Sequence, residues 1–230
     1  MAIEGVHRSA WQGRVIRRIS RPDRAVVEKL GAAYTGFILD HLGKSSYMRG
    51  LYPLYQGAVI CGPAVTSLGP DLTVRRMAID LSEPGDVLVV AAGGDGETAC
   101  FGDGTARRMA LKGMAGAVID GATRDARFLR NMKFPTFCRG VTPKNYHYPS
   151  APHHGGVNVP VICGNALVQP GDVIFGDDDG VVVIPRDAAI DLADTVTRNL
   201  LLERKARDAM RSYESYNVER ELLDRGYTVE

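Results

Sequence analysis

The sequence predicts a single α/β domain, and three observations indicate this class. Its 230 residues are enough for one domain with a sizeable core. Apolar residues make up 45% of the chain and charged residues 24%, which are ordinary globular proportions. Short β-branched runs alternate with helical patterns, and the glycines and prolines between them form no linker. We therefore expect one domain rather than two.

The N-terminal part predicts an extension followed by a broken helix. Residues 1–20 have the character of an extension, with Trp11 as its anchor. A side-chain acceptor, a proline and a carboxylate then fall within one turn, which is typical of a helix start. These residues are Ser20, Pro22 and Asp23. The helical pattern breaks near Gly31 and resumes over residues 35–42.

The rest of the chain predicts short strands and longer helices in turn. Strands are expected over residues 58–66, 87–91, 117–119, 160–163, 173–175 and 181–184. Helices are expected over residues 72–81 and 103–113. A last long helix is predicted from near residue 186 to about Tyr213. Its apolar side is predicted to consist of Ile190, Leu192, Val196, Leu200 and Leu201. We assign residues 21–213 to the domain and 214–230 to a frayed or neighbour-packed tail.

Composition and charge exclude several classes of protein. Lys+Arg 28 against Asp+Glu 27 gives a net charge of +1, unlike the basic excess of a nucleic-acid binder. No apolar run approaches the roughly 18 residues of a membrane helix, and the N-terminus has no signal-peptide core. The four cysteines are dispersed, so we expect buried packing residues in a reducing compartment. These features predict a soluble cytoplasmic protein that binds neither nucleic acid nor membrane.

Two Pro-Gly-Asp segments each precede an apolar run. They occupy residues 84–86 and 170–172. Proline and glycine favour a tight turn, so each segment predicts a turn that leads into a buried strand.

The most informative segment is IDGATRD at residues 119–125, in which an apolar strand leads into a glycine turn. Side chains at the carboxyl end of a buried strand converge on whatever binds there. Arg124 offers planar donors suited to a carboxylate or enolate oxygen, and Asp125 offers a hard oxygen for Mg²⁺. An equally simple interpretation is that both residues cap the following helix and bridge to neighbours.

A second candidate segment lies upstream. GGDGE at residues 93–97 follows a predicted strand, and Gly102, Asp103, Gly104 and Thr105 open the next helix. Backbone amides at a helix N-terminus can bind an anion, and Asp103 could serve as a base, directly or through a water. The alternative is that Asp103 is simply the N-cap residue. The glycine loop has neither P-loop nor dinucleotide-binding spacing.

Three histidines, His147, His153 and His154, lie in a segment rich in proline, tyrosine and glycine. They lack the i, i+4 spacing of a helical metal site and have no cysteine nearby. We expect a loop that contacts substrate or a neighbouring subunit rather than a metal site.

Three segments taken in order resemble the RraA-like family. They are the glycine loop before Gly102 and Asp103, the IDGATRD turn, and VQPGDVIFGDDDGVVVIP at residues 168–185. The family includes 4-hydroxy-4-methyl-2-oxoglutarate and 4-carboxy-4-hydroxy-2-oxoadipate aldolases, which are class II pyruvate aldolases. The resemblance spans roughly residues 22–210. It implies a β/β/α sandwich of the swivelling phosphohistidine-domain type, assembled as homotrimers or homohexamers with active sites between subunits.

The resemblance also implies a site and an activity. Asp125 and bound waters would hold Mg²⁺ or Mn²⁺, Arg124 would contact the 2-oxo acid, and Asp103 with a water would be the base. Amides of the turn from Gly102 through Gly104 to Thr105 would bind the pyruvate end. By position, Asp40 and the adjacent subunit's Glu203 would contact the metal through waters. The implied reaction is retro-aldol cleavage of a 4-hydroxy-2-oxo acid, as in aromatic compound degradation, with oxaloacetate decarboxylation as a side activity.

Some features depart from the family pattern and leave alternatives open. The family usually has leucines after the acid, where this chain has Gly104 and Thr105. Asp40 is shorter than the family's glutamate. A lyase acting on a different 2-oxo acid therefore remains an alternative. So does a non-catalytic RraA-type regulator that binds a ribonuclease, although such a binder would not need Asp103, Asp125 and Glu203 together.

Overall fold

A computed structural model describes residues 11–146, 154–213 and 215–230. The helices are α1 (Arg24–Leu30), α2 (Thr35–His41), α3 (Leu72–Leu81), α4 (Asp103–Leu111), α5 (Ala126–Met132), α6 (Ala189–Ala209) and α7 (Glu219–Asp224). The first strands are β1 (Tyr47–Met48), β2 (Tyr52–Pro53), β3 (Ile60–Leu68), β4 (Val87–Phe101), β5 (Gly116–Thr123) and β6 (Thr136–Val141). The later strands are β7 (Gly156–Val157), β8 (Val161–Cys163), β9 (Ala166–Val168), β10 (Val173–Asp177) and β11 (Gly180–Ile184). Among these residues, no helix combines the length and apolar character needed to cross a membrane.

One nine-stranded mixed sheet organises the domain. Its order is β1-β11-β10-β3-β4-β5-β6-β2, with β7 also paired to β3. β3, β4, β5 and β6 are parallel, and α3, α4 and α5 connect them in sequence. Parallel neighbours joined by single helices place all their carboxyl ends at the same edge of the sheet. The ends of β4 and β5, where the predicted site residues lie, are therefore adjacent.

The strand residues alternate between two cores. Leu88 of β4 belongs to a buried cluster with Met109 of α4, on the face that the connecting helices cover. Val89, the next residue, belongs to a second cluster with Val161 of β8, on the face that the β8–β9 hairpin covers. This period of two is the sheet pattern expected of a strand buried on both faces.

A third core lies where α1, α2 and α6 cover β10 and β11. Phe175 and Ile184 of these strands cluster with Leu30 of α1, Phe37 of α2 and Leu192 of α6. The domain thus has a hairpin on one side of the sheet and helices on the other. The predicted α/β class and β/β/α layering are confirmed.

The two Pro-Gly-Asp turns form as predicted and share one geometry. Asp86 accepts from the Glu83 amide (2.7 Å), and Asp172 accepts from the Gln169 amide (2.8 Å). Both aspartates are buried, at 1% and 5% exposure. Asp86 also accepts two bonds from Arg21, from Nε (2.9 Å) and Nη2 (2.7 Å). This fork ties the segment before α1 to the start of β4.

Two predictions for the first half were wrong in detail. α1 begins at Arg24, so Pro22 and Asp23 precede the helix, and Asp23 makes no side-chain capping bond. The strand predicted to end at residue 91 continues to Phe101 with shifts in its register to β5. Those shifts accommodate the glycines at 93, 94 and 96, which the sequence predicts to lie in a loop.

The C-terminal prediction also needs correction. The last long helix ends at Ala209 rather than near Tyr213, and the tail contains the short helix α7. Leu192, Val196 and Leu200 are buried as predicted, whereas Ile190 and Leu201 are 61% and 58% exposed. The apolar stripe of α6 is therefore narrower than predicted. The N-terminal extension does pair with the domain, since the Ile16 amide donates to the Val157 carbonyl (3.0 Å).

Candidate active site

A cavity of about 210 Å³ lies at the carboxyl ends of β4 and β5. It is lined by residues from both of the candidate segments described in the sequence analysis. These are Gly102, Asp103, Gly104, Thr105, Arg124 and Asp125. The parallel pairing of β4 with β5 brings the two segments together, because Phe101 lies opposite Thr123.

Gly102 is the point of closest contact between the two segments. A Cβ atom there would lie 2.6 Å from Asp125 Oδ2 and 3.2 Å from Arg124 Cγ. The absence of a side chain thus lets the Asp125 carboxylate approach the first turn of α4, where the Asp103 amide donates to Oδ2 at 3.4 Å. The backbone of Gly102 is extended, so its role is to provide space and not an unusual conformation.

Arg124 and Asp125 form the charged end of the strand. Arg124 Nε lies 3.4 Å from Asp125 Oδ2, and both side chains are partly exposed. Asp125 adopts a left-handed conformation (φ 59°), which costs a non-glycine residue about 1 kcal/mol. It precedes α5 but makes no side-chain capping bond, so helix capping does not explain the aspartate.

Asp103 is the first residue of α4, and Gly102 is the N-cap. The alternative that Asp103 serves as the N-cap is therefore wrong. Its carboxylate lies 3.5 Å from Arg107 Nε, one helical turn further along. Asp103 and Asp125 both line the cavity.

The cavity is rich in arginine, and sequence reasoning missed three of these residues. Arg75 and Arg76 of α3 and Arg108 of α4 line it together with Arg124. Four arginines face two aspartates, so the lining carries a net positive charge suited to an anionic ligand. The sequence signal was the adjacent pair on α3, which only the packing of that helix assigns to this cavity.

Cys100 forms part of the same wall. Burial raises the pKa of this thiol, and the positive charge of Arg75 opposes that effect only in part. A neutral thiol contributes packing and no negative charge. All four cysteines are free thiols, and Cys100, Cys138 and Cys163 are buried as predicted, whereas Cys61 is only partly buried.

Asp40 and Glu203 lie elsewhere within one chain. Asp40 on α2 is exposed and lies 3.4 Å from Lys44 Nζ. Glu203 on α6 accepts hydrogen bonds from the Tyr34 hydroxyl and from Arg207 Nη2 (3.0 Å). The bond to Glu203 raises the pKa of Tyr34. Neither acid lines the cavity, so any role there would need a second copy of the chain. His147 and His153 lie outside the described residues, and His154 does not line the cavity.

A partly buried ion pair supports the strand that carries the site. Asp120 of β5 accepts from Arg139 Nε of β6 (2.5 Å) and from the Gly164 amide (3.1 Å). Asp120 is 6% exposed, so losing one partner would leave a buried charge uncompensated. This pair joins β5, β6 and the β8–β9 turn just before the Arg124–Asp125 segment.

The carboxylates fit a divalent cation that keeps most of its water. Among residues 11–146, 154–213 and 215–230, no group of three or more His, Cys, Asp or Glu side chains could hold a metal ion. Mg²⁺ is commonly bound by one or two carboxylates, with waters and substrate oxygens completing six positions. Asp125, partly exposed and facing the cavity, has the chemistry for that role.

Comparison with known proteins shows a family and several relatives that are similar to this chain. The model of the RraA-like family, Aldolase/RraA, matches residues 35–183. A putative 4-hydroxy-4-methyl-2-oxoglutarate aldolase of Halalkalibacterium halodurans is 39% identical over 147 residues, covering 63% of this chain and 68% of the relative. A 4-hydroxy-4-methyl-2-oxoglutarate aldolase of Thermus thermophilus is 33% identical over 115 residues, covering 50% of this chain and 68% of the relative.

A solved structure is also similar to this chain in sequence and fold. It is a protein of Streptomyces coelicolor described as an unusual member of the RNase ES inhibitor RraA protein family. It aligns with a TM-score of 0.74 and 34% identity, covering 84% of this chain and 100% of that chain. The family match spans both site segments and most of the sheet. The chain therefore belongs to the RraA-like (Aldolase/RraA) family.

Proposed function

We propose that this protein is a divalent-metal-dependent pyruvate aldolase. It would cleave a 4-hydroxy-2-oxo di- or tricarboxylic acid to pyruvate and a second oxo acid. The observation that carries the proposal is the meeting of Arg124, Asp125, Asp103 and the first turn of α4 in one positively charged cavity. The aldolase names of two relatives support the same reaction class.

The first turn of α4 would bind the carboxylate at the pyruvate end. The positive end of a helix and its amide hydrogens favour an anion. The Asp103 amide makes only a long hydrogen bond to Asp125 (3.4 Å). Exchanging this bond for one to a substrate oxygen would therefore cost little free energy. Gly104 and Thr105 follow in the same turn and also line the cavity.

Arg124 would stabilise the charge that the reaction creates. Cleavage removes the C4 hydroxyl proton, forms a C4 carbonyl and moves the C3–C4 bonding electrons to the 2-oxo oxygen, leaving a pyruvate enolate. A fixed guanidinium beside that oxygen stabilises the enolate more than the ground state. A cation held by Asp125 and waters would add a Lewis acid for the 2-oxo and carboxylate oxygens. The same stabilisation predicts oxaloacetate decarboxylation.

Asp103 would take up the C4 hydroxyl proton, directly or through a water. Asp103 lines the cavity at the start of α4, the helix that would bind the carboxylate end of the substrate. The acid returns the proton when the enolate is protonated at C3 to give pyruvate. One residue can therefore serve both proton transfers.

We also propose that the protein works as a homotrimer or homohexamer. The reason is that Asp40 and Glu203 lie outside the cavity of their own chain. A neighbouring copy could bring Glu203 to a metal-bound water. Mass photometry of wild type, combined with activity of Glu203→Gln, tests this arrangement.

The decisive experiment measures pyruvate release by purified protein with Mg²⁺ or Mn²⁺, with and without chelator. The substrates are a panel of 4-hydroxy-2-oxo acids and oxaloacetate. Arg124→Ala should lower kcat/KM by about 100-fold, which corresponds to about 3 kcal/mol for one lost oxyanion donor. Arg127→Ala is the matched control, because this exposed arginine on α5 does not line the cavity. Near-wild-type turnover by Arg124→Ala would contradict the proposal.

The main alternative is a protein-binding regulator of ribonuclease activity. The observation that favours it is the likeness to the Streptomyces protein of the RNase ES inhibitor RraA family. Inhibition of a ribonuclease at stoichiometric concentration, without metal-dependent pyruvate release, would support this alternative. A lyase on another 2-oxo acid would instead show metal-dependent release outside the aldol panel.

A further inference from the structure

One face of α3 forms a wall of the cavity. Leu72, Arg75, Arg76 and Ile79 all line it, and their spacing of i, i+3, i+4 and i+7 places them on one side of a helix. Arg75 is 2% exposed and donates to the Pro70 carbonyl, so its charge is held in a fixed place. Arg76 is exposed at the cavity mouth.

Arg108 brings a further charge to this side of the cavity. It lies on the second turn of α4, and its Nη1 donates to the Gly104 carbonyl (2.9 Å). This bond turns the side chain back toward the start of the helix. Arg76 and Arg108 therefore reach the same cavity from two different helices.

The proposed reaction does not account for these charges. Binding of the pyruvate end uses Arg124, Asp125 and the first turn of α4. The α3 and α4 arginines remain, on elements other than the strand end that carries Arg124. A guanidinium is suited to a carboxylate because its planar donors match the two oxygens.

We propose that Arg76 and Arg108 form a second anion subsite that takes a carboxylate on the C4 side of the substrate. This proposal rests on the proposed function and adds the residues that select the substrate. Leu72 and Ile79 would line the path of the carbon chain between the two ends. Arg75 would strengthen the local field from its buried position without being the group that selects.

The test uses a matched pair of ligands that cannot undergo retro-aldol cleavage, because neither has a C4 hydroxyl. 2-Oxoglutarate carries a distal carboxylate, and 2-oxopentanoate has a methyl group at that position. We would measure both dissociation constants by calorimetry with Mg²⁺ at fixed ionic strength. The variants are Arg76→Gln and Arg108→Gln. Arg24→Gln is the control, since this arginine is exposed on α1 and pairs with Glu28.

Wild type should bind 2-oxoglutarate at least about tenfold more tightly than 2-oxopentanoate, as expected for one charge-assisted pair. Each variant should bind 2-oxoglutarate about tenfold more weakly and 2-oxopentanoate less than about twofold more weakly. The control should change neither dissociation constant. Equal losses for both ligands would indicate general attraction or a disturbed turn and would overturn the subsite. Unchanged binding in both variants would also overturn it.

The outcomes separate this proposal from the proposed function. If wild type binds neither ligand in the presence of Mg²⁺, the 2-oxo acid site itself is wrong and the subsite fails with it. If wild type binds both equally and releases pyruvate from 4-hydroxy-2-oxo acids, the aldolase proposal stands and only the subsite is refuted.

Discussion

Replacing Gly102 by alanine tests whether close contact at this position sets the geometry of the site. The added Cβ would lie 2.6 Å from Asp125 Oδ2, whereas ordinary contact begins at 3.4 Å, so the carboxylate must move by 0.8 Å or the turn must open. Because the Gly102 backbone is already extended, alanine adds no conformational strain. A misplacement of about 1 Å in an active site can lower the reaction rate about 100-fold, so kcat/KM should fall by about 10- to 100-fold.

Stability should change far less than activity in this variant. We expect a loss of about 1 kcal/mol, or about 2–4 °C in Tm, because the contact is with a partly exposed side chain that can move. Pyruvate release with a titration of Mg²⁺ is the assay, and a weaker apparent metal affinity is expected. Gly96→Ala is the control, since a Cβ there meets no atom within 4 Å. Wild-type kcat/KM and metal dependence in Gly102→Ala would refute this reasoning.

Three further predictions concern the rest of the fold. Asp86→Ala removes both hydrogen bonds to Arg21 at the start of β4. Urea denaturation should therefore show a free energy of unfolding lower by about 3 kcal/mol. Activity at 25 °C should persist because the cavity lies at the other end of the strand; a loss below about 1 kcal/mol would contradict the inferred role of the pair. Burial raises the pKa of Cys61 to about 12 and that of Cys138 to about 11. These thiols should therefore resist iodoacetamide at pH 8 until the protein unfolds, and mass spectrometry showing rapid native labelling would be inconsistent with the raised pKa values. Since the unfolded thiols ionise first, stability should also fall as pH rises from about 9 toward these values.

The parts of the site that could be predicted are those written in contiguous sequence. Gly102 and Asp103 follow one apolar run, and Arg124 and Asp125 follow the next, so each segment could be placed at a strand end from local pattern alone. Parallel pairing then makes their proximity a consequence of the fold. The error at residues 93–97 has a local cause: a run of glycines usually weakens or ends a strand, whereas here the glycines occupy irregularities within β4.

Other contributions depend on how helices pack, and sequence pattern did not reveal them. Arg75 and Arg76 are adjacent charges of the kind found on many exposed helices, and only the docking of α3 beside β4 directs them to the cavity. The ion pair of Asp120 and Arg139 likewise joins two strands, and its two residues lie 19 positions apart in the sequence.

The sequence alone thus determined the α/β class, the strand ends that carry the charged motifs and the family to which those motifs belong. It could do so because turn chemistry and hydrophobic period act over a few neighbouring residues. The tertiary structure decided which arginines share the cavity and that Asp40 and Glu203 stay outside it within one chain. Those assignments depend on the angles at which whole elements pack, and the packed core sets these angles as a unit.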